Sequence, residues 1–176
     1  MAFVGIDPGS RGGVAVISRK GDVLRLDSMP AVAARFNPQS FIALLKDIHE
    51  QASWHEEPID LAVIEQVGAM PGNGVCAMFS FGYCAGAIEA GVAAVGWRYN
   101  MVRPQAWQKI LHEGVDKSRF DAKQRSLIIA QRLFPKESWI PPRGKKPHDG
   151  LIDAALLAEY GRRTMFYGQT MKGGSP

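Results

Sequence analysis

The fold is decided by AFVGIDPGSRGGVAVIS, residues 2–18, where two apolar runs flank a glycine-rich turn. The runs Ala2–Asp7 and Gly13–Ser18 predict two β-strands joined by that turn. Lys20-Gly21-Asp22 is typical of a tight hairpin and predicts a third strand, Val23–Ser28, antiparallel to the second. The chain therefore begins with three strands in a meander, and the first of them ends on a carboxylate.

The rest of the chain alternates between helices and strands. The run LAVI before Glu65 is apolar at every position, which favours a strand buried on both faces of a sheet. This order predicts an α/β fold: a five-stranded mixed sheet, an antiparallel meander followed by parallel strands, with helices on both faces. Apolar periodicity and capping residues predict helices over residues 38–51, Val75–Ala94, Pro104–Leu111, 121–134 and 149–165, and strands over residues 61–65 and 98–102.

Length and composition limit the classes of protein. The 176 residues fit one ordinary domain, and 46% apolar with 22% charged residues is typical of a globular protein. We expect a single domain over residues 1–167 and a disordered tail over residues 168–176. The length argues against two-lobed ATPases of the actin type, which clamp a nucleotide between two domains.

The cysteines indicate a reducing compartment. Cys76 and Cys84 lie eight residues apart, which is not a zinc-binding spacing, and their apolar surroundings favour buried free thiols. No membrane span is expected, because the apolar runs are judged shorter than the roughly 18 residues that a span requires. The N-terminus lacks the pattern of a secretory signal, so the expected location is the cytoplasm.

The basic residues are unevenly distributed. The formal net charge is +4, but residues 98–146 hold twelve Lys or Arg against four Asp or Glu, a local net charge of +8, and the rest of the chain carries −4. A basic second half indicates a polyanionic partner, with nucleic acid as the leading candidate. A basic surface that only keeps the protein soluble is the alternative.

Four carboxylates stand where strands end and where the last helix begins. Asp7 closes the first strand and Glu65 the fourth, so both emerge at one end of the sheet if those strands are neighbours. Asp149 and Asp153, four residues apart, can share one helical face. Such a group repels itself unless divalent cations lie within it, and oxygen-only ligands select Mg²⁺ or Mn²⁺ over Zn²⁺. A pair of such ions is a standard device for phosphodiester hydrolysis.

Each acid also has an ordinary structural explanation. Asp7 suits a turn, Asp149 suits a helix cap, and Asp153 suits the first turn of a helix. Glu65 is the hardest to explain in this way, because an unpaired acid directly after a buried strand is costly.

Three segments resemble the motifs of a known family: GIDPGSRGGVAVI (residues 5–17), VIEQV (63–67) and HDGLIDAALLAEYG (148–161). Their joint order and spacing resemble those of the RuvC-type Holliday junction resolvases in the RNase H/retroviral-integrase superfamily. The middle of the chain, residues 72–135, resembles the phage and chloroplast branch of that family. The resemblance covers residues 3–162, nearly the whole chain.

The resemblance implies an RNase H-like, Mg²⁺-dependent endodeoxyribonuclease that resolves four-way DNA junctions by paired symmetric nicks. It implies two ions per active site, with Mn²⁺ able to substitute, and a homodimer without a nucleotide cofactor in a bacterium or phage-infected host. The metal ligands of the family correspond here to Asp7, Glu65, Asp149 and Asp153. His148 is a candidate supporting ligand or proton carrier, and an ordinary polar residue beside a helix cap is the alternative.

The sequence departs from the family pattern at two positions. Some members carry an acid or His three residues before the last Asp, where this chain has Gly150. In the bacterial cellular enzymes an aromatic residue three positions after the second-motif Glu wedges into the junction, whereas this chain has Gly68 there. Met70 is the nearest bulky apolar residue, and Met can wedge between base steps.

Basic residues then become candidate phosphate contacts, which give affinity and salt dependence rather than sequence recognition. Trp107 indicates core packing rather than base stacking. The Ala- and Gly-rich helix Val75–Ala94 is a candidate dimer interface, with a place in the core as the alternative. The candidate DNA contacts are Met70, Lys109, Lys117, Lys123, Arg125, Arg143, Lys145 and Lys146.

Three other functions stay open. The chain could be a nuclease of the same superfamily that acts on RNA or flaps. It could be a non-catalytic junction-binding protein, although four acids beside DNA phosphates argue against that. It could be a nucleotide-binding ATPase module, because the glycine-rich turn could cradle a phosphate, but the second lobe of such proteins is missing.

Overall fold

The computed structural model describes residues 1–9, 11–33, 35–66, 68, 74–141 and 144–172, with side chains described as far as Met165. The strands within these residues are β1 Ala2–Asp7, β2 Gly13–Ser18, β3 Val23–Ser28, β4 Ala31–Val32, β5 Arg35–Phe36, β6 Ile59–Glu65 and β7 Tyr99–Val102. The helices are α1 Pro38–Trp54, α2 Val75–Ala94, α3 Pro104–Leu111, α4 Ala122–Leu133 and α5 Asp149–Lys172.

A five-stranded mixed sheet forms the centre, in the order β3-β2-β1-β6-β7. The pairs β1–β2 and β2–β3 are antiparallel, whereas β1–β6 and β6–β7 are parallel. The predicted meander followed by parallel strands is therefore confirmed. The order places β1 in the middle of the sheet, so residues at the end of β1 lie between the ends of its neighbours.

Helices cover both faces of the sheet, as predicted. Successive residues of β1 point to opposite faces. Phe3 packs on one face with Trp107 of α3 and with residues of α4 and α5. Val4 packs on the other face with Phe41 of α1 and Ile88 of α2.

Local capping explains where two of the helices begin. The Asn37 side chain accepts a hydrogen bond from the Ser40 backbone, and a proline occupies the start of α1. Asp121 and Gln124 form a reciprocal capping box at the start of α4, so the predicted helix over residues 121–134 has Asp121 as its cap.

Two elements differ from the prediction. The two-residue strands β4 and β5 form a small separate sheet that was not predicted, because strands of this length carry no alternation that a sequence pattern can reveal. The last helix, expected to end at residue 165, continues to Lys172. Residues 168–172 of the expected disordered tail are therefore helical, and residues 173–176 lie outside the described residues.

Two expectations about α2 are wrong. Cys76 and Cys84 are both free, but Cys76 is exposed rather than buried. By length and composition alone, α2 is long and apolar enough to cross a membrane, contrary to the expectation that no run reaches that length. The core helix of a soluble protein can meet the same criterion, and the second half of α2 does pack in the core through Ile88, Gly91 and Val92.

Candidate active site

The ends of two neighbouring parallel strands carry the first pair of acids. Ile6 of β1 lies in register with Ile64 of β6, so Asp7 and Glu65 follow side by side at the same end of the sheet. Both acids are half-buried. From the sequence, the two acids were expected at one end of the sheet only if their strands were neighbours. The parallel pairing of β1 and β6 meets that condition.

Small residues let α5 approach this end of the sheet closely. A Cβ atom on Gly5 of β1 would lie 1.9 Å from the backbone oxygen of Ala154, and one on Gly13 of β2 would lie 2.9 Å from that of Gly150. Only glycine leaves room for a backbone at this distance. The start of α5 is therefore seated against β1 and β2, where its acids face Asp7.

The four carboxylates act on one another electrostatically. Burial raises the pKa of Asp7 to about 8, and the charges of Glu65, Asp153 and Asp149 add to the shift. Burial also raises the pKa of Asp153 to about 7, against a hydrogen bond from Ser126 that lowers it. Burial raises the pKa of Glu65 as well. The structure thus brings the four sequence-predicted acids together, and Asp7 holds a proton at neutral pH when no cation is bound.

Lys123 of α4 supplies a positive charge to this cluster. Its Nζ lies 2.6 Å from Asp149 Oδ2, and the two side chains are 75% and 49% exposed. The hydrogen bond to Asp149 raises the pKa of Lys123. The lysine charge lowers the pKa of both Asp7 and Asp153, so Lys123 partly offsets the repulsion among the acids.

The donor chemistry fits a hard divalent cation, although the side chains do not form a closed cage. In the part of the chain that the structure describes, no group of three or more His, Cys, Asp or Glu is arranged to hold a metal ion. Asp149 is engaged by Lys123, whereas the buried Asp153 Oδ1 has no hydrogen-bond partner among the described residues. A cation would satisfy this costly oxygen. Asp7, Glu65 and Asp153 would hold the ion, and Asp149 would join them on leaving Lys123.

Comparisons with known proteins bear on the fold. No protein-family model and no curated protein matches the sequence. The RuvC structure from Thermus thermophilus matches with a TM-score of 0.65 at 18% identity, over 96% of this chain and 97% of that one. T. thermophilus RuvC in complex with a Holliday junction substrate matches at 0.60 and 16%, over 97% and 96%. The yeast mitochondrial Holliday junction resolvase Ydc2 matches at 0.57 and 14%, over 91% and 77%.

This chain has the RuvC fold. The predicted RuvC-type, RNase H-like architecture is thereby confirmed along nearly the whole chain. The placement within a phage and chloroplast branch stays a prediction, because the identities of 14% to 18% carry the fold alone.

The basic residues predicted to contact DNA differ in their surroundings on this RuvC fold. Arg125 is half-buried, and its Nε atom has no hydrogen-bond partner among the described residues. Met70 and Arg143 lie outside the described residues. The exposed members of the set are Lys109, Lys117, Lys123, Lys145 and Lys146.

His148 contributes to the start of α5 in the RuvC fold. Its Nδ1 accepts a hydrogen bond from the Leu151 backbone at 3.2 Å, and its Nε2 lies 3.5 Å from Ser28 Oγ. Because Nδ1 accepts, the ring proton is on Nε2 and faces Ser28. The structure thus gives His148 a capping role, and its role as a supporting ligand stays a prediction.

Three polar residues behind the carboxylates were not predicted as part of the site. Trp107, expected in the core, is fully buried there, but its indole Nε1 also donates to Glu65 Oε1 at 2.9 Å. His112 and Ser126 are buried beside it, with His112 Nε2 3.2 Å from Ser126 Oγ. A single His at the end of one helix and a single Ser within another carry no sequence signal. Only the buried indole, which requires an acceptor, could have suggested such a contact.

Proposed function

We propose that this chain is an endonuclease that resolves four-way DNA junctions by paired nicks. The observation that carries the proposal is the convergence of Asp7, Glu65, Asp149 and Asp153 at one end of the central sheet, where burial and the charges of the other three acids raise the pKa of Asp7. A protein that only bound DNA would gain nothing from negative charges beside phosphates. The fold supports the same substrate, since one RuvC of this fold is solved in complex with a Holliday junction substrate.

The acids have the donors to hold Mg²⁺, or Mn²⁺ in its place, as two ions per site. Such ions, when bound, activate a water for in-line attack and neutralise charge on the leaving oxygen. Asp7 and Glu65 stand fixed on adjacent strands, while Asp149 and Asp153 project from α5. Because Asp7 retains a proton in the free protein, cation binding releases protons. If Asp149 turned to a bound ion, Lys123 would be available to a DNA phosphate.

The exposed lysines provide sequence-independent contacts to the DNA backbone. Lys145 and Lys146 are exposed and precede Asp149, the first residue of α5, by only a few positions. A phosphate held by them would lie beside the acidic centre. The Asp149 side chain itself is half exposed, so the centre is open to a strand that arrives from solvent.

A second copy of the chain completes the function that we propose. A four-way junction with two-fold symmetry requires two opposed nicks, which a two-fold dimer supplies. The first half of α2 offers an apolar surface, because Val75, Phe79 and Tyr83 are exposed and residues 75–88 contain no charged side chain. Exposed aromatic residues without charges are typical of the centre of a protein interface. We assign this half of α2 to the contact between copies.

The test is a panel of labelled substrates: a four-way junction, a flap, an RNA–DNA hybrid and a linear duplex, each incubated with the protein and Mg²⁺ or Mn²⁺. We expect paired nicks in the junction alone, and no nicks with Asp7→Asn, which should still bind the junction. Cutting of the flap or hybrid instead would indicate another nuclease of the superfamily. Junction binding by the wild type without cutting would indicate a non-catalytic binding protein.

A further inference from the structure

A layer of buried polar side chains lies directly behind the acidic centre. Glu65 and Asp153, two of the four acids, are each approached from the same side by a buried polar side chain that belongs to α3 or α4. Both approaching side chains are uncharged, and neither contact has a role in the function proposed above.

Trp107 fixes one of these acids. The side chain is fully buried on α3, and its Nε1 donates to Glu65 Oε1 at 2.9 Å. This hydrogen bond lowers the pKa of Glu65 against the effect of burial, which raises it. Trp107 therefore ties one of the two Glu65 oxygens in place.

Ser126 and His112 form a chain of donors that reaches the other acid. Ser126 lies close enough to Asp153 for a hydrogen bond that lowers the pKa of this carboxyl against the effect of burial, and the serine hydroxyl is the donor whenever the carboxyl is ionised. The single hydroxyl proton is then used, so the 3.2 Å contact with His112 Nε2 requires the imidazole to donate. Burial and the nearby charge of Arg125 lower the pKa of His112 to about 4, which leaves a neutral ring with its proton on Nε2.

Trp107 and the His112–Ser126 pair pack together as one unit. The ring of His112 meets the indole of Trp107 edge to face, with centroids 5.5 Å apart and planes at 82°. His112 is the C-cap residue of α3 and Ser126 lies within α4, so the unit joins both helices to the acids. The buried Oδ1 of Asp153 has no hydrogen-bond partner among the described residues, which leaves this oxygen available to a cation.

We propose that Trp107 and the His112–Ser126 pair are positioning residues that hold Glu65 and Asp153 ready to bind a divalent cation. The Trp107 indole holds Glu65 Oε1, and the buried Ser126 hydroxyl lies beside Asp153, so both carboxylates are restricted in rotation before any ion arrives. Partners of this kind orient metal ligands, and their loss commonly weakens metal affinity by about 10- to 100-fold. This inference rests on the proposed function for the identity of the ligands, but not for the DNA substrate.

The test measures Mn²⁺ binding to the DNA-free protein by electron paramagnetic resonance of the unbound ion. We expect the dissociation constant to rise about tenfold or more in Trp107→Phe and in Ser126→Ala, since each removes one donor. Trp97→Phe is the matched control: Trp97 is buried in the core on the opposite face of the sheet, and its Nε1 donates to His49 Nδ1 at 3.0 Å. It should bind Mn²⁺ like the wild type.

Thermal unfolding of each variant, measured without metal, identifies any variant whose weaker Mn²⁺ binding results from a loss of structure rather than from lost positioning. Ser126→Thr keeps the hydroxyl and should recover most of the affinity that Ser126→Ala loses, which a merely structural role would not predict. Wild-type affinity in both Trp107→Phe and Ser126→Ala would overturn the proposal, as would equal weakening in Trp97→Phe. Because no DNA is present, a protein that binds Mn²⁺ in this pattern but cuts no junction would overturn the proposed function and leave this inference standing.

Discussion

The Asp7 carboxyl makes stability depend on pH. Its pKa is about 8 in the folded chain against 3.8 as the ordinary value, because burial and three neighbouring acids disfavour its charge. Between these values only the folded state retains the proton, so the contribution of Asp7 to stability is greatest below the lower value. That contribution falls as pH rises through the folded pKa. Asp7 therefore destabilises the metal-free protein most under alkaline conditions.

Asp7→Asn should remove this loss, because the amide has no proton to release. In buffer with a chelator we expect the melting temperature of the variant to exceed that of the wild type by little at about pH 5 and by on the order of 5 °C at about pH 9. Circular dichroism melts measure the difference, with the exposed Asp22→Asn as the control. A gap of the same size at both pH values would show that the Asp7 pKa is not raised.

Lys123 should set the acid limit of nicking. Its charge lowers the pKa of Asp7 and Asp153, so Lys123→Gln raises both and delays their ionisation as the pH increases. The pH at which nicking falls to half on the acid side should therefore move upward. Loss of a phosphate contact alone would lower the rate by the same factor at every pH. Lys117→Gln removes a lysine that is also exposed and should leave the midpoint in place.

At this scale the sequence could predict the acids but not what holds them. Asp7 and Glu65 follow apolar strands, so their positions at strand ends are visible in the pattern. The contact between Trp107 and Glu65 joins residues 42 positions apart, and only the folded packing of α3 against β6 decides it. His112 and Ser126 are also distant from Asp153 along the chain, so only the folded packing brings them near it.

The seat of α5 on β1 depends on glycine at position 5. A Cβ there would meet the Ala154 carbonyl oxygen at 1.9 Å, and this backbone atom cannot move unless α5 moves. Gly5→Ala should therefore lower the free energy of unfolding by about 3 kcal/mol or more and misplace the acids of α5. Urea unfolding measures the change.

Gly91→Ala is the control for that substitution, because it also adds a methyl group to a buried glycine. Its Cβ would meet side chains rather than backbone, the Phe41 ring at 3.2 Å and Leu45 Cδ1 at 3.6 Å, and alanine favours the helix by about 1 kcal/mol over glycine. We expect its effect to stay within about 1 kcal/mol of zero. Similar stability in the two variants would contradict the close seating of α5.

The exposed half of α2 should hold two copies together. Phe79→Glu places a charge in the proposed interface, and we expect it to raise the dimer dissociation constant at least about tenfold in sedimentation equilibrium. Trp54→Glu changes an aromatic side chain that is also 77% exposed, at the end of α1, and should leave the dimer intact. A wild-type protein that remains monomeric at high concentration would contradict the assignment of α2.

Elements with strong local signals were predicted well, and those fixed by their surroundings were not. Strands β1, β2 and β3 have the predicted bounds, because the hairpin and turn residues mark their ends. The pair β4–β5 has too few residues to show a period. The end of α5 was placed too early, because the sequence after residue 165 lacks the apolar repeat that marks a packed helix.

Across the whole molecule, charge is divided between an acidic centre and a basic stretch of chain, residues 98–146. Residues 98–146 carry a net charge of +8, and they lie between the strand acids and the acids of α5. The lysines that end this stretch are exposed immediately before α5. DNA drawn in by the basic surface would thus meet the carboxylates, whose own repulsion of phosphate must be overcome by bound cations.

The salt dependence of junction binding tests this division of charge. If Lys145 and Lys146 each contact a phosphate, the double variant Lys145→Ala/Lys146→Ala should reduce the slope of log K against log salt by about 1.8, or about 0.9 per contact. Its binding defect should then be largest at low salt and shrink as salt is added, as measured by fluorescence anisotropy with a chelator present. Lys20→Ala/Lys46→Ala removes two exposed lysines outside the basic stretch and should keep the wild-type slope. Equal slopes of log K against log salt in all three proteins would exclude Lys145 and Lys146 from the DNA-binding surface. Other basic residues would then contact the DNA strand.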